Sequence, residues 1–313
     1  MTLVISTLTS SGIVLSADSR QSYTNRRGAI RIGSDNAMKI FRLTRNCGVA
    51  ISGKAFLNDE GKPVKDVGHF IERFKSSENI KDLPIKSIAE KLNKYLGDLY
   101  FANDLEEKKK QIREEVDKKG TNLVFAQSDN HLIPYSYTDK EGREISETAW
   151  VETIIMIIAG IDSDGIGRAY SVSIPKGITV ERDTQTCGAL WVGQTEVMTR
   201  VINGYAPEIE NLSFVKEALT KDKDSVIKQL ETVGYTVYWG TITLQDAVDF
   251  CILMTRTTES LQRFSDGTPS SPGGIPGVGG EIDIAVITPR KGFQWLRRKK
   301  IKSQDTELPL DTD

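Results

Sequence analysis

Four residues near the start of the sequence have the types and the spacing to carry out hydrolysis: Thr2, Asp18, Arg20 and Lys39. If Met1 is removed, Thr2 begins the chain and carries a free α-amine beside its own hydroxyl group. In this arrangement the amine accepts the proton of the hydroxyl group, whose oxygen becomes a nucleophile. An α-amine has an unperturbed pKa of about 7.7–8.0, so it can act first as a base and then as an acid. The sequence therefore predicts a threonine that attacks a peptide or amide carbonyl and forms an acyl-enzyme.

The other three residues could supply the electrostatic support that such a nucleophile needs. An ammonium group from Lys39 beside the hydroxyl lowers the cost of forming the alkoxide and favours a neutral terminal amine. Asp18 could keep Lys39 charged and oriented, and Arg20 could bind Asp18 or a nearby carbonyl group. Each residue also has an ordinary interpretation, as a strand-opening threonine, a solvated edge lysine or a surface Asp-Ser turn. We favour the catalytic interpretation because all four occur together.

Short strands are predicted to position these residues. Alternating and continuous apolar runs, bounded by turn residues, indicate two strand pairs in this region. The predicted strands are residues 3–9, 12–17, 38–43 and 47–52. Thr2 then precedes the first strand, Asp18 follows the second and Lys39 lies in the third.

The rest of the chain alternates between helical and strand periodicity. Helices are predicted over residues 64–76, 85–102, 194–204, 213–232 and 244–262, with a charged, solvated helical extension over 105–120. Further strands are predicted over residues 122–126, 132–137, 153–159, 168–174, 282–288 and 292–296. This order suits two antiparallel sheets packed face to face with helices outside. The pattern alone gives the fold class as α+β.

The composition indicates a soluble, cytoplasmic protein, and we expect no cofactor. Of the 313 residues, 38% are hydrophobic and 27% are charged, which allows a core and a solvated surface. The net charge of −2 gives no reason to expect a nucleic acid or a membrane as partner. The three cysteines are scattered and suggest buried thiols in a reducing compartment, without a metal site. Neither a secretory signal nor a membrane-spanning run is expected.

Two segments carry a resemblance to a known family. The opening reads MTLVISTLTSSGIVLSADSRQSY, and a second segment reads NAMKIFRLTRNCGVAISGKA. They resemble proteasome β-type subunits and the bacterial proteasome-like peptidases, which are N-terminal-nucleophile (Ntn) hydrolases. The resemblance implies a four-layer αββα sandwich in which Thr2, Lys39 and Asp18 are the catalytic residues. It also implies one domain over residues 1–297, with insertions near 103–150 and 205–240, and we expect a disordered tail over 298–313.

Supporting residues follow from the same resemblance. The family supplies an oxyanion-hole N–H at the end of a strand, which is Ser52 or Gly53 in this sequence. Gly193 and its neighbours stand where the family commonly has glycine and serine at the start of a central helix. Gln194 or Thr195 could replace that serine as a hydrogen-bond partner.

One part of the family pattern is missing. Family members commonly carry an aspartate and a serine shortly before a Gly-Gly pair and the last strand. Residues 276–280 read PGVGG, which keeps the Gly-Gly pair and lacks the two polar residues in register. Because such support groups matter for rate, we expect the supporting residues of this chain to differ from those of the family.

The leading hypothesis is a threonine-type endopeptidase or amidohydrolase with Thr2 as nucleophile. The resemblance implies a ring-type homo-oligomer, a peptide or unfolded-protein substrate, and an ATP-dependent unfoldase as a partner. A catalytically inactive ring or scaffold subunit is one alternative. A small-molecule amidase on the same fold is another.

Overall fold

The structure is a computed structural model that describes residues 2–25, 29–59, 62–127, 131–268, 271–302 and 307–309. The strands are β1 Leu3–Thr9, β2 Gly12–Ala17, β3 Gln21–Thr24, β4 Ile30–Ser34, β5 Ile40–Thr44, β6 Cys47–Gly53, β7 Phe56–Asp59, β8 Lys62–Asp66, β9 Gly120–Phe125, β10 Leu132–Asp139, β11 Glu144–Trp150, β12 Ile154–Ile161, β13 Gly167–Ile174, β14 Gly177–Asp183, β15 Gly188–Gly193, β16 Gly267–Thr268, β17 Ser271–Pro272, β18 Asp283–Thr288, β19 Gly292–Arg297, β20 Lys300–Lys302 and β21 Glu307–Pro309. The α-helices are α1 Val67–Ser77, α2 Ile85–Leu99, α3 Glu106–Lys119, α4 Glu196–Asn203, α5 Ser213–Lys221, α6 Lys223–Glu231 and α7 Leu244–Phe264. A π-helical segment covers Tyr100–Leu105, and 3₁₀ turns cover Pro207–Asn211 and Trp239–Thr241.

Two five-stranded antiparallel sheets form the centre of the fold. Sheet one has the order β15-β1-β2-β18-β19, and sheet two has the order β14-β13-β12-β6-β5. The central register of sheet one places Val4 between Ala17 and Val192. The first strand is therefore an interior strand, hydrogen-bonded on both sides.

Helices cover the outer face of each sheet, which gives four layers. Alternate residues of β1 face opposite sides, because side chains alternate along a strand. Val4 and Leu8 enter the core between the two sheets, whereas Leu3 and Ile5 pack in the cluster that contains Cys251 of α7. Helices α1 and α2 pack on the outer face of sheet two in a third cluster. The predicted α+β fold, a four-layer αββα sandwich, is confirmed.

Burial on both faces explains why the first two strands are so apolar. Every residue of β1 and β2 is buried, since one face meets the opposite sheet and the other meets helices. Helix α7 begins with a capping box in which Thr243 and Asp246 satisfy each other's backbone N–H groups. This cap fixes where the helix begins.

Several elements differ from the sequence prediction. Strands β14 and β15 were missed because β14 is largely exposed and polar, and β15 is short and bounded by glycines. The helix predicted over 213–232 is two helices, since Asp222 caps the second at Ser225 N. The polar segment 21–36 contains the β3–β4 hairpin, and β11 adds a third strand beside β9 and β10, which were predicted as strands.

Part of the C-terminal segment is buried against the rest of the protein. Lys299 is buried, and β20 pairs with β21 beyond it. Positions 303–306 and 310–313 of the predicted tail lie outside the described residues. Among the helices that the structure describes, none combines the length and the apolar character needed to cross a membrane.

Candidate active site

Thr2 lies at the mouth of the gap between the two sheets, with its backbone held from both sides. Its carbonyl oxygen accepts a hydrogen bond from Gln194 N at 2.7 Å, just after β15. Ser52 Oγ, near the end of β6, donates to the same oxygen at 3.4 Å. The residue is only 5% exposed. These contacts fix Thr2 before β1 begins.

Gly193 permits this close approach. Its φ of +95° lies in the region that favours glycine, and an added Cβ would stand 1.9 Å from Thr2 O. The predicted supporting residues Gly193 and Gln194 therefore contact the backbone of Thr2, and so does Ser52. Gly53 ends β6 with a φ of +80°.

Asp18 is the electrostatic centre of the site. Its Oδ1 accepts from Leu3 N and from Lys39 Nζ, each at 3.0 Å. Its Oδ2 accepts from Arg20 N and from Gly279 N, also at 3.0 Å each. The carboxylate is almost completely buried, and these N–H donors stabilise its negative charge.

Lys39 brings a buried positive charge to the peptide that follows Thr2. Because Lys39 Nζ and Leu3 N each lie 3.0 Å from the same Asp18 oxygen, the two nitrogens are at most twice that distance apart. The ammonium also donates to Arg20 O at 2.5 Å. Burial lowers the pKa of Lys39 from its ordinary value, and the Asp18 carboxylate acts in the opposite direction. Lys39 is thus a desolvated lysine held by one carboxylate.

A single cleft of about 290 Å³ exposes this arrangement to a ligand. Thr2, Lys39, Arg20, Ser52 and Gly53 all line it. Asp18 is buried and does not line the cleft, but it pairs with Lys39, which does. The wall of the cleft also contains side chains that could contact a bound peptide, namely Tyr23, Lys54, Phe56 and Glu152. The structure therefore brings the predicted nucleophile, the lysine and both oxyanion-hole candidates to one opening.

Arg20 binds Asp35, which the sequence analysis did not identify as a site residue. Its guanidinium forms a bidentate pair with Asp35, with Nε to Oδ1 at 2.7 Å and Nη2 to Oδ2 at 3.1 Å. Its Nη1 reaches the carbonyl oxygens of Pro276 and Val278 at 3.4 and 3.5 Å. This pairing raises the pKa of Arg20 and lowers that of Asp35. Arg20 was expected to bind either Asp18 or a nearby carbonyl group. Its guanidinium does contact carbonyl groups, but the carboxylate that it binds is that of Asp35 and not that of Asp18.

Gln262 of α7 is a second residue that sequence reasoning missed. Its Oε1 accepts from Gly277 N at 3.0 Å and from Val278 N at 2.9 Å. Its Nε2 donates to Gln194 Oε1 at 2.9 Å. One sequence signal could have found it: Gln262 continues the helical spacing of the buried residues Val248, Cys251, Thr255 and Thr258. A polar side chain at a core position of a helix needs hydrogen-bond partners.

Fold and site together define an αββα sandwich with a buried lysine–aspartate pair beside residue 2. No protein-family model matches the chain, and no curated protein matches it. Solved structures with a similar arrangement include Anbu from Hyphomicrobium sp. strain MC1, with 12% identity over 97% of this chain and 88% of that one and a TM-score of 0.46. Anbu from Yersinia bercovieri, described as an ancestral beta-subunit, is 10% identical over 94% of this chain and 86% of that one, with a TM-score of 0.46. The helical assembly of the Anbu complex from Pseudomonas aeruginosa is 11% identical over 91% of this chain and 81% of that one, with a TM-score of 0.44.

These findings correct the recognition made from the sequence. The opening segments suggested a proteasome β-type subunit or a bacterial proteasome-like peptidase. That family assignment is withdrawn: no family model matches the chain, and the solved structures with a similar arrangement carry the name Anbu at identities of 10–12%. Likenesses at this identity, with TM-scores below 0.5, assign no activity to the chain. The chemistry has to be argued from the site itself.

Proposed function

We propose that this chain is an N-terminal threonine hydrolase that cleaves peptide or amide bonds with Thr2 as nucleophile. The observation that carries the proposal is the pair Lys39–Asp18. The carboxylate binds the ammonium and the first peptide N–H after Thr2 through the same oxygen. Lys39 and Thr2 line the same cleft, and a cation beside the threonine hydroxyl group would lower the cost of forming the alkoxide.

The reaction begins with a proton transfer within Thr2. Removal of Met1 frees the α-amine, which takes the proton from Oγ as this oxygen attacks the carbonyl carbon of the substrate. The positive charge of Lys39 stabilises the negative charge that develops on Oγ, and it favours the neutral amine that the step needs. Backbone N–H groups at Ser52 and Gly53 are the candidates to receive the oxyanion.

The second half returns the enzyme to its starting state. The protonated amine gives its proton to the leaving nitrogen, the C–N bond breaks, and an ester of Thr2 remains. A water molecule, deprotonated by the same amine, then attacks the ester carbonyl. The bond between the carbonyl carbon and Oγ breaks, the amine returns its proton to Oγ, and the acid product leaves. Each step uses the one amine as base and then as acid, so no cofactor is needed.

Thr2→Ala is the direct test of this proposal. The variant removes Oγ and keeps the backbone contacts of residue 2, so hydrolysis of a library of fluorogenic peptides should fall to background while the melting temperature changes little. Thr148→Ala, at an exposed threonine of β11 that does not line the cleft, is a matched control that should keep full activity. Hydrolysis at the wild-type rate by Thr2→Ala would refute the assignment.

Self-association is part of the proposal. Helix α7 exposes large apolar side chains outside the core, and apolar surface of this kind marks protein interfaces. They are Leu253, Leu261 and Phe264. A closed assembly would restrict access to the cleft and would suit an unfolded-protein substrate delivered by a separate unfoldase. Light scattering of the purified chain tests this part, and a monomer with full activity on small amides would favour a small-molecule amidase.

The absence of the aspartate and serine before Gly279 is the observation that favours an inactive scaffold as the second candidate. In that case the chain would assemble, retain the Lys39–Asp18 pair and hydrolyse nothing. The peptide library and an N-terminal threonine-directed inhibitor distinguish the two, because a scaffold would give neither turnover nor adduct.

A further inference from the structure

Gln262 connects parts of the site that are far apart in sequence. It lies in the last turn of α7, is 5% exposed, and makes its hydrogen bonds through both ends of its carboxamide. The oxygen accepts the N–H groups of Gly277 and Val278, and the nitrogen donates to the side chain of Gln194. Burial of a carboxamide is costly unless it is hydrogen-bonded, so this position is specified by its partners.

On the oxygen side, Gln262 fixes the loop 276–279 against the turn that holds Asp18. Gly279 N donates to Asp18 Oδ2 at 3.0 Å, and Gly279 O accepts from Ser19 N at 3.0 Å. The same loop gives the carbonyl groups that bind Arg20. An added Cβ at Gly279 would stand 2.5 Å from Arg20 Cζ, which shows how closely the loop and the turn approach.

On the nitrogen side, Gln262 reaches the backbone that holds Thr2. Its partner Gln194 donates its backbone N–H to Thr2 O at 2.7 Å. The chain of contacts therefore runs from Thr2 through Gln194 and Gln262 to the loop 276–279, and from there to Asp18. This loop is the region where the sequence lacks the aspartate and serine that members of the resembled family commonly carry.

We propose that Gln262 is a positioning residue for the hydrolysis. Its carboxamide sets the loop 276–279 relative to Gln194, and thereby holds the Asp18 carboxylate and the Thr2 backbone in one fixed arrangement. The inference rests on the proposed function of Thr2. It also makes a claim about backbone coupling that can be measured without turnover.

Gln262→Met is the main test, because methionine has nearly the same size and neither accepts nor donates in this way. The expected result is a fall in kcat of about 10- to 100-fold with little change in KM, as for loss of other groups that orient a site. A residue that only stabilises the fold would lower the melting temperature and leave the kcat of the folded protein unchanged.

Two further variants separate this role from general damage. Gln262→Glu keeps an acceptor for Gly277 N and Val278 N, and a rotated Gln194 carboxamide can donate to it, so it should recover most of kcat above the pKa of the new carboxyl group. Gln245→Met changes an exposed glutamine of the same helix and should behave as wild type. If Gln262→Met does not fold, the Gln262→Glu variant still tests the claim, since it should keep the loop protected and the activity high.

Backbone hydrogen exchange in the full chain distinguishes failure of this inference from failure of the proposed function. In Gln262→Met, protection of the amides of Gly277, Val278 and Gly279 should fall, and protection of the Leu3 amide should fall with them. Unchanged protection at Leu3, or an unchanged kcat in a folded Gln262→Met, would overturn the positioning role. Wild-type turnover by Thr2→Ala would overturn the proposed function whatever the Gln262 variants show.

Discussion

Two buried lysine–aspartate pairs lie at the same end of sheet one, and they differ in what they face. Lys39 binds Asp18 at the end of β2, and Lys299 binds Asp283 at the start of β18. The two aspartates are neighbours, because Asp283 stands opposite Ala17 in the register of the sheet. The exposed fractions of the two lysines are nearly equal, at 5% and 6%.

The ammonium groups of Lys39 and Lys299 have different surroundings, which indicate different roles. Lys39 lines the cleft with Thr2, whereas Lys299 does not line it and donates its remaining hydrogen bond to Ser19 Oγ at 2.9 Å. Burial and pairing are thus shared by both pairs, whereas access to the cleft belongs to the Lys39–Asp18 pair. A buried lysine–aspartate pair alone is therefore not evidence of catalysis.

The largest difference should appear when each lysine is replaced by methionine. Lys39→Met should lower kcat/KM on the order of 10²–10³-fold, because the positive charge beside the nucleophile is lost. Asp18 keeps its hydrogen bonds from Leu3 N, Arg20 N and Gly279 N, so the fold should survive. Peptide hydrolysis and thermal unfolding of the same preparation check both statements. A variant that is unfolded and has lost activity only for that reason would make Lys39 structural.

Lys299→Met should show the opposite behaviour. Asp283 accepts from Lys299 N and Nζ, so the substitution leaves a buried carboxylate with little compensation. The expected loss is about 3–5 kcal/mol in the free energy of unfolding. The specific activity of the remaining folded protein should stay within a few-fold of wild type. Chemical denaturation measures the first quantity, and a loss of activity larger than for Lys39→Met would break the comparison.

The pH dependence of kcat/KM should show whether activity needs the positive charge of Lys39. Burial lowers the pKa of Lys39, so its ammonium is lost at a lower pH than that of an ordinary lysine. Activity needs this charge, and the alkaline limb of the profile should therefore lie below the ordinary lysine value of 10.5. Lys39→Arg cannot lose its proton in this range, so the limb should disappear at a lower overall rate. An identical alkaline limb in the arginine variant would exclude Lys39 as its source.

A smaller effect should follow from disturbing the backbone of Thr2, which lies next to the Lys39–Asp18 pair. Gly193→Ala places a methyl group against Thr2 O and also strains a left-handed residue. Gly142→Ala is the matched control, because its φ is +81° and the space around it is open. The control should lose about 1–2 kcal/mol of stability and no activity. Gly193→Ala should lose activity beyond this, and equal activity in the two variants would show that the contact does not matter.

The sequence predicted the strands and the catalytic candidates where its signals were local. The apolar runs of β1 and β2 follow from burial on both faces, and Thr2, Asp18 and Lys39 stand at the ends and openings of such strands. The fold class was predictable because strands and helices alternate in blocks. Polar edge elements such as β14 lack a buried face and gave no comparable signal.

The missed site residues depend on contacts between distant parts of the chain. Asp35 was hidden in a polar segment, and only the folded chain brings it to Arg20. Gln262 meets Gln194 across 68 positions in the sequence, and Lys299 meets Ser19 across 280. Lys299 belongs to the segment predicted as a disordered tail, where composition is polar and no periodicity shows that one lysine is buried. Such residues can be suspected from a polar side chain at a core position, but their partners cannot be read from spacing.

Intact-mass and peptide mass spectrometry of the purified protein, with and without an N-terminal threonine-directed covalent inhibitor, tests the central claim most directly. The predicted result is a chain that begins at Thr2 and carries one inhibitor molecule on that residue, with no adduct in Lys39→Met under the same conditions. A chain that retains Met1, or a wild-type chain that begins at Thr2 and forms no adduct, would contradict the assignment of Thr2 as nucleophile.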